Sequence, residues 1–219
     1  MSRHLLVPFF FAAGALLGGN LEKPFAQTRS EESGTPQAGW FSLGGRSTLS
    51  VFGHDGAGLG TGGQFRVQLG NRVNTEWFAD YILVPYQDFA RSEYVHIGWS
   101  VIFYPVSKWQ WPSSRWQPFV LAGHCFDYNQ KTFLGYPGHR RHRWGAAVQA
   151  GAGCHLHLSE RYDLTLETQY MIHLTPEILP ENLNGHQEFV THSHAGLEGH
   201  WLTTLSFNYK VARLWKRKK

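Results

Sequence analysis

Charged side chains are scarce in this sequence. Asp, Glu, Lys and Arg make up 16% of its 219 residues, against roughly 25% in a soluble domain. The charges nearly cancel, leaving +4, and much of that excess sits in the terminal run 213–219 (RLWKRKK). A nucleic-acid groove needs basic residues spread along a face, so nucleic acid is excluded as a partner. A short basic tail suits anionic lipid headgroups or periplasmic surfaces instead. Long apolar runs are missing too: past the N-terminus no stretch approaches the roughly 18–20 residues of a membrane helix. Cysteine is limited to Cys125 and Cys154, which allows one disulfide at most and gives the 13 histidines no evident Cys partner for a metal site.

Against these shortages stand 24 Gly, nine Trp and nine Tyr, and an alternation that returns eight times between Trp40 and Val211. Its clearest copy is 195–211. One parity reads Ala, Leu, Gly, Trp, Thr, Leu, Phe, Tyr, Val; the other reads Gly, Glu, His, Leu, Thr, Ser, Asn, Lys. A strand sends successive side chains to opposite faces, so this one has an oily face and a polar face. It is longer than a typical soluble strand of about 5–6 residues. The mean hydropathy of -0.33 is no objection, because half of each barrel strand faces a polar interior. The fold class expected is all-β: an eight-stranded antiparallel up-and-down transmembrane β-barrel behind an N-terminal signal peptide. A soluble barrel with an oily pocket is the structural rival. Trp, Tyr and Phe on one parity and Arg, Glu and His on the other favour lipid outside.

The chain divides into a signal peptide over 1–26, a polar lead-in over 27–38, the barrel over 39–211 and a basic periplasmic tail over 212–219. Arg3 and His4 precede an apolar Leu5–Leu17 segment and small residues, the order of a secretory signal. Between strands, loops are expected at 53–63 (GHDGAGLGTGG), 85–92, 107–117, 128–143 and 175–190, with tight turns near 70–74 and 159–162. The Gly-rich loop contains a Gly-x-Gly but lacks the strand–GxGxxG–helix setting of a phosphate cradle. Short connections after the second and sixth strands and longer ones after the first, fifth and seventh place both termini in the periplasm. Trp109, Trp111 and Trp116 at a strand end suit an interfacial aromatic girdle.

Residues 145–153 (GAAVQAGAG), a Ser-Glu-Arg turn and 164–170 (LTLETQY) resemble the small outer-membrane β-barrel family, the OmpA-like and OmpW-like eight-stranded barrels of porin-family type. Residues 118–123 (PFVLAG) resemble the fifth strand of that family. The resemblance spans about 39–211 and implies the cell outer membrane of a Gram-negative-type bacterium. It also implies assembly by the outer-membrane insertion machinery with periplasmic chaperones, outer-membrane lipid and lipopolysaccharide as surroundings, and a monomer. The insertion machinery reads a last strand ending in an aromatic. Phe207 and Tyr209 fit, but eight residues follow Val211.

The polar parity places Arg46 and Arg66 in the lumen with Glu76, Asp80, Glu167 and Glu198. Charges in so narrow an interior must be paired or hydrated, so a salt-bridged plug is expected, with a narrow path for ions or small solutes as the alternative. His155 with His157, and His192 with His194, share strand faces, yet no carboxylate or Cys completes a ligand set; no metal and no cofactor is expected. The run His139, Arg140, Arg141, His142, Arg143 is a candidate for surface anion contacts, since Arg pairs well with phosphate. Whether Cys125 and Cys154 bond depends on register and facing. No enzyme is expected. A lipid-modifying activity is the second alternative, its nearest match being His192, Ser193, His194 and Glu198, but adjacent His192 and Ser193 face opposite sides. The function expected is a structural or surface-binding role.

Overall fold

A computed structural model describes residues 38–52, 56–86, 89–106, 114–183, 186–192 and 199–215. The segment expected to be a signal peptide, most of the lead-in and the end of the basic tail lie outside the described residues. The strands are β1 (Trp40–Phe52), β2 (Gly56–Gln68), β3 (Val73–Tyr86), β4 (Ala90–Phe103), β5 (Trp116–Phe133), β6 (Tyr136–His157), β7 (Tyr162–His173), β8 (Glu177–Leu183), β9 (His186–His192) and β10 (Gly199–Arg213). Eight of them close an antiparallel barrel in the order β1-β10-β7-β6-β5-β4-β3-β2, while β8 and β9 pair as a separate hairpin. The first and last strands zip from Trp40↔Arg213 to Phe52↔His200. Both ends of the barrel sequence therefore share one rim; the opposite rim is the distal one.

The alternation decides which way each side chain points. On β1, Ser42, Arg46, Thr48 and Ser50 are buried, whereas Leu43, Leu49 and Val51 are exposed. On β10, Leu202, Thr204, Ser206 and Asn208 are buried, and Trp201, Leu205 and Phe207 are about half exposed. The polarity is inverted relative to a soluble barrel. A continuous apolar girdle this wide far exceeds the few hundred Å² that soluble monomers tolerate, and it suits hydrocarbon. From Trp201 to Tyr209, at about 3.4 Å per residue and a tilt near 40°, the belt rises roughly 20 Å, close to the apolar band of an outer-membrane barrel. Aromatic rings meet across neighbouring strands on this surface: Phe41 tilts against Phe65, and Phe65 stacks on Trp77 and Trp77 on Trp99, each pair 5.9 Å between centroids. Tyr162 lies against Phe207 and Tyr209 near the terminal rim.

Several expected loops are strands. Residues 56–63, read as part of a Gly-rich loop, form the first half of β2. Glycine is a poor strand former, but it has a packing reason here. A Cβ on Gly62 would strike the Ala79 carbonyl and the Asp80 carboxylate, and one on Gly60 would press on Ile82. Large side chains of β3 occupy the space that β2 leaves. Most of the expected loop at 85–92 is strand, with Pro85 paired to Arg91 and Tyr86 to Ala90 across β3 and β4. The expected loop at 128–143 is a long hairpin: β5 and β6 stay in register from Trp116↔Leu156 to Thr132↔Arg140 and turn at Leu134–Gly135. The expected loop at 175–190 contains most of the β8–β9 hairpin. The distal rim is thus raised by paired strands. At the terminal rim β4 ends at Phe103 and β5 begins at Trp116, close to the connection expected at 107–117.

Candidate functional site

The interior is filled from wall to wall. Arg46 projects from the middle of β1 and is 3% exposed. Its Nη1 donates to Glu76 Oε1 at 3.3 Å and to Gln64 Oε1 at 3.2 Å, and its Nη2 donates to Glu167 Oε1 and Thr204 Oγ1, both at 3.3 Å. Its Nε lies 3.0 Å from Asp80 Oδ1. Glu76 and Asp80 stand on β3 and Glu167 on β7. In the closed order these strands are four apart in either direction, so they are opposite walls. One guanidinium therefore ties the two sides of the lumen together, and its plane also lies 4.5 Å from the Phe78 ring centroid.

Arg66 on β2 makes the second tie. Its Nε donates to Glu76 Oε2 at 2.6 Å, and its Nη1 donates to Asp163 Oδ1 at 3.2 Å and Thr165 Oγ1 at 3.1 Å. Glu76 thus receives one guanidinium on each oxygen. Two arginines and four carboxylates, with Gln64, Thr48, Thr204 and Asn208 filling the gaps, form one connected set. Each carboxylate meets at least one guanidinium, Glu167 through Arg46 alone; an unpaired buried charge costs several kcal/mol.

Of the lumen residues expected from sequence, Arg46, Arg66, Glu76, Asp80 and Glu167 come together, and Glu198 lies outside the described residues. The sequence reading missed Asp163, although one further step along the inward parity of β7 below Thr165 reaches it. It also missed the grouping of inward histidines. On the distal side of the charges, His96 (β4), His173 (β7) and His200 (β10) are all buried. His173 Nε2 lies 3.1 Å from His200 Nδ1, and His173 Nδ1 lies 3.0 Å from Asp127 Oδ2. Phe52 stacks on Tyr94 and covers His200 at 4.2 Å between centroids. On the terminal side, Tyr104, Asn74, His155, Gln117 and Arg66 line a polar recess of about 20 Å³, room for about one water. His155 is held by Tyr104 at 3.1 Å and Thr165 at 2.7 Å, and His157 by Gln117 at 2.9 Å. That histidine pair is engaged in separate hydrogen bonds.

No family model matches the chain, and no curated protein matches it. Solved structures do. Neisserial surface protein A (NspA) is similar with a TM-score of 0.50 at 12% identity, over 80% of this chain and 98% of that one. A major outer membrane protein from Thermus thermophilus is similar with a TM-score of 0.52 at 8% identity, over 78% and 99%. OprG from Pseudomonas aeruginosa is similar with a TM-score of 0.46 at 16% identity, over 81% and 98%. The chain has the fold of the small outer-membrane β-barrels.

Within this outer-membrane-type barrel the remaining candidates fall on strands. His139, Arg140, Arg141, His142 and Arg143 are not in a loop: they lie on β6, above the point where β7 begins to pair at Ala147↔His173. Their own partners on β5 include Lys131 and Thr132. On its other side this part of β6 is a sheet edge, where charged side chains discourage further strand pairing. His139, Arg140, Arg141 and His142 are exposed. Arg143 turns inward instead, donating to the Thr175 carbonyl at 2.8 Å and hydroxyl at 2.9 Å and reaching Asp127 at 4.0 Å. It pins the start of the β8–β9 segment to the barrel. Beyond it, Phe133 packs on Phe189 at 4.4 Å between centroids, so the two hairpins touch.

Cys125 and Cys154 are both free thiols. Cys125 points into the lumen and pairs in register with Ala147, whereas Cys154 lies on the outward parity opposite Pro118. They occupy opposite faces of the wall, which settles the disulfide question against a bond. Ser193, His194 and Glu198 lie outside the described residues.

Proposed function

We propose that this protein is an outer-membrane barrel with a closed lumen, acting in a structural and surface-binding role rather than as a pore. The observation that carries this reading is Arg46, whose guanidinium bridges Glu76 and Asp80 on one wall to Glu167 on the opposite wall. Eight strands leave room mainly for side chains, and the Phe78, Ile82, Met171 and Leu202 cluster fills the level above the charges. The test is conductance across a planar lipid bilayer. The refolded protein is expected to give no discrete openings. Steady single-channel steps from a folded sample would replace this reading with a narrow ion or solute path.

The barrel sits in the cell outer membrane with both ends in the periplasm and the raised hairpins outside. The terminal-rim girdle of Tyr162, Phe207 and Tyr209 supports this, as does the height of the apolar belt. Closure leaves the eight-stranded ring without an edge, and the free distal edge of β6 is charged, which supports a monomer. The outward hairpin then presents Arg140 and Arg141 to lipopolysaccharide phosphates, with about 1 kcal/mol expected from each Arg near an anionic surface. Titration of lipopolysaccharide into the detergent-solubilised barrel checks this. The Arg140→Gln/Arg141→Gln variant is expected to bind about 2 kcal/mol more weakly, and equal binding by both proteins would reduce the run to edge protection.

A further inference from the structure

We infer that the terminal rim of the barrel is a contact surface for anionic phospholipid headgroups, with its best-formed site at Arg161. This rests on the reading of the oily parity as lipid-facing. Three connections at this rim carry an exposed arginine: Arg72 between β2 and β3, Arg115 just ahead of β5, and Arg161 between β6 and β7. Among the described residues none of the three is in an ion pair. The acids at this end do not neutralise them. Asp163 is buried and already bound by Arg66, and Glu160 is the one exposed carboxylate among the described residues of this rim. These positive charges are therefore open to an anion from outside the chain.

What lies beside the arginines identifies that anion. Leu69, Trp116 and Leu158 flank them in sequence and are about half exposed. Each guanidinium thus stands at the border of an apolar surface, as residues at a membrane–water interface do. At Arg161 the border continues into a track. Arg161 Nη1 donates to the Tyr209 hydroxyl at 3.1 Å, which holds the guanidinium beside the outward face of β10. From there the outward pairs Tyr162↔Tyr209, Leu164↔Phe207 and Leu166↔Leu205 step down the β7–β10 surface. The Tyr162 ring lies 5.0 Å from Tyr209 and 5.6 Å from Phe207 between centroids.

A cation with an apolar track beneath it matches the two parts of one lipid. The phosphate meets the guanidinium, whose five N–H donors leave a fork free after the bond to Tyr209. An acyl chain lies along the rings and leucines below. A soluble phosphate would use the cation and leave the track bare. A zwitterionic lipid would fill the track but bring a positive charge of its own to the arginine. A headgroup of net negative charge, such as phosphatidylglycerol, satisfies both halves.

The test titrates phosphatidylglycerol or phosphatidylcholine into the full, folded barrel in detergent and counts bound lipids by native mass spectrometry. Phosphatidylglycerol is expected to bind about five-fold more tightly, the fold-change equivalent to about 1 kcal/mol for one arginine at an anionic surface. Arg161→Gln is expected to lose about that factor for phosphatidylglycerol and to leave phosphatidylcholine unchanged. Arg72→Gln/Arg115→Gln/Arg161→Gln should abolish the preference, while Arg140→Gln/Arg141→Gln at the distal rim keeps it. Circular dichroism confirms that each variant has folded. Equal affinity for the two lipids overturns this site and leaves the membrane-embedded barrel standing. A preference lost only in the distal variant also overturns it, by moving the contact to the other rim. A folded barrel that retains neither lipid overturns the membrane reading itself.

Discussion

Arg46→Met is expected to cost the barrel about 3–5 kcal/mol, the range for removing one member of a buried ion pair while its partners stay behind. Three carboxylates depend on this guanidinium: Glu76, Asp80 and Glu167. The variant leaves them facing one another across the lumen, with Arg66 reaching Glu76 and Asp163 but forming no ion pair with Asp80 or Glu167. Methionine replaces much of the arginine stem, so lost packing is a minor part of the effect. Equilibrium urea titration of protein refolded into phospholipid vesicles measures it. Arg46→Lys separates charge from geometry. It restores one positive charge but not the fork that serves both walls, so its loss should be smaller than that of Met and still measurable. A cost below about 1 kcal/mol for Arg46→Met, the size of an exposed pair, would mean that the lumen charges are hydrated independently. The same sample put through the bilayer measurement connects stability to function. With the bridge gone and acidic groups lining the gap, any leak that appears should favour cations.

The lumen was legible in the sequence one wall at a time. Arg46, Glu76, Asp80 and Glu167 each sit on the polar parity of a strand with a clear oily parity, so their inward direction could be read directly. That Glu76 and Glu167 share one guanidinium could not, because it depends on β3 and β7 being opposite walls of a closed ring. The histidine cluster was hidden for the same reason: His96, His173 and His200 come from three strands and meet only after closure. The misread loops have a common physical cause. Alternation records lipid on one side and polar filling on the other. The 139–143 run and most of the β8–β9 segment extend past the lipid belt, where both faces of a strand can be polar. Residues 56–63 failed differently. There glycine removes the side chains that would report the pattern, because Ile82 and Asp80 take up that space from the neighbouring strand. Strand periodicity thus finds the membrane-crossing part of a barrel and loses the strand where the crossing ends.

Leu205→Arg tests the direction of that periodicity. Leu205 lies on the outward parity of β10, midway between Trp201 and Tyr209, and is 48% exposed. Its lateral neighbours are Ser47 on β1 and Leu166 on β7. In a soluble barrel an arginine at a half-exposed outward site would be close to neutral, within about 0.5 kcal/mol. In a lipid-embedded barrel the same change is expected to cost about 2–4 kcal/mol, the midplane value for Arg on a barrel surface. Moving the substitution along the strand sharpens the test. Tyr209→Arg, nearer the terminal rim, should cost only about 0–1 kcal/mol for its charge, since the side chain can reach the headgroups. The vesicle titration used for Arg46 gives both numbers. A gradient falling from Leu205 to Tyr209 locates the belt, and a flat, near-zero response would return the oily parity to water and remove the membrane from the reading of this fold.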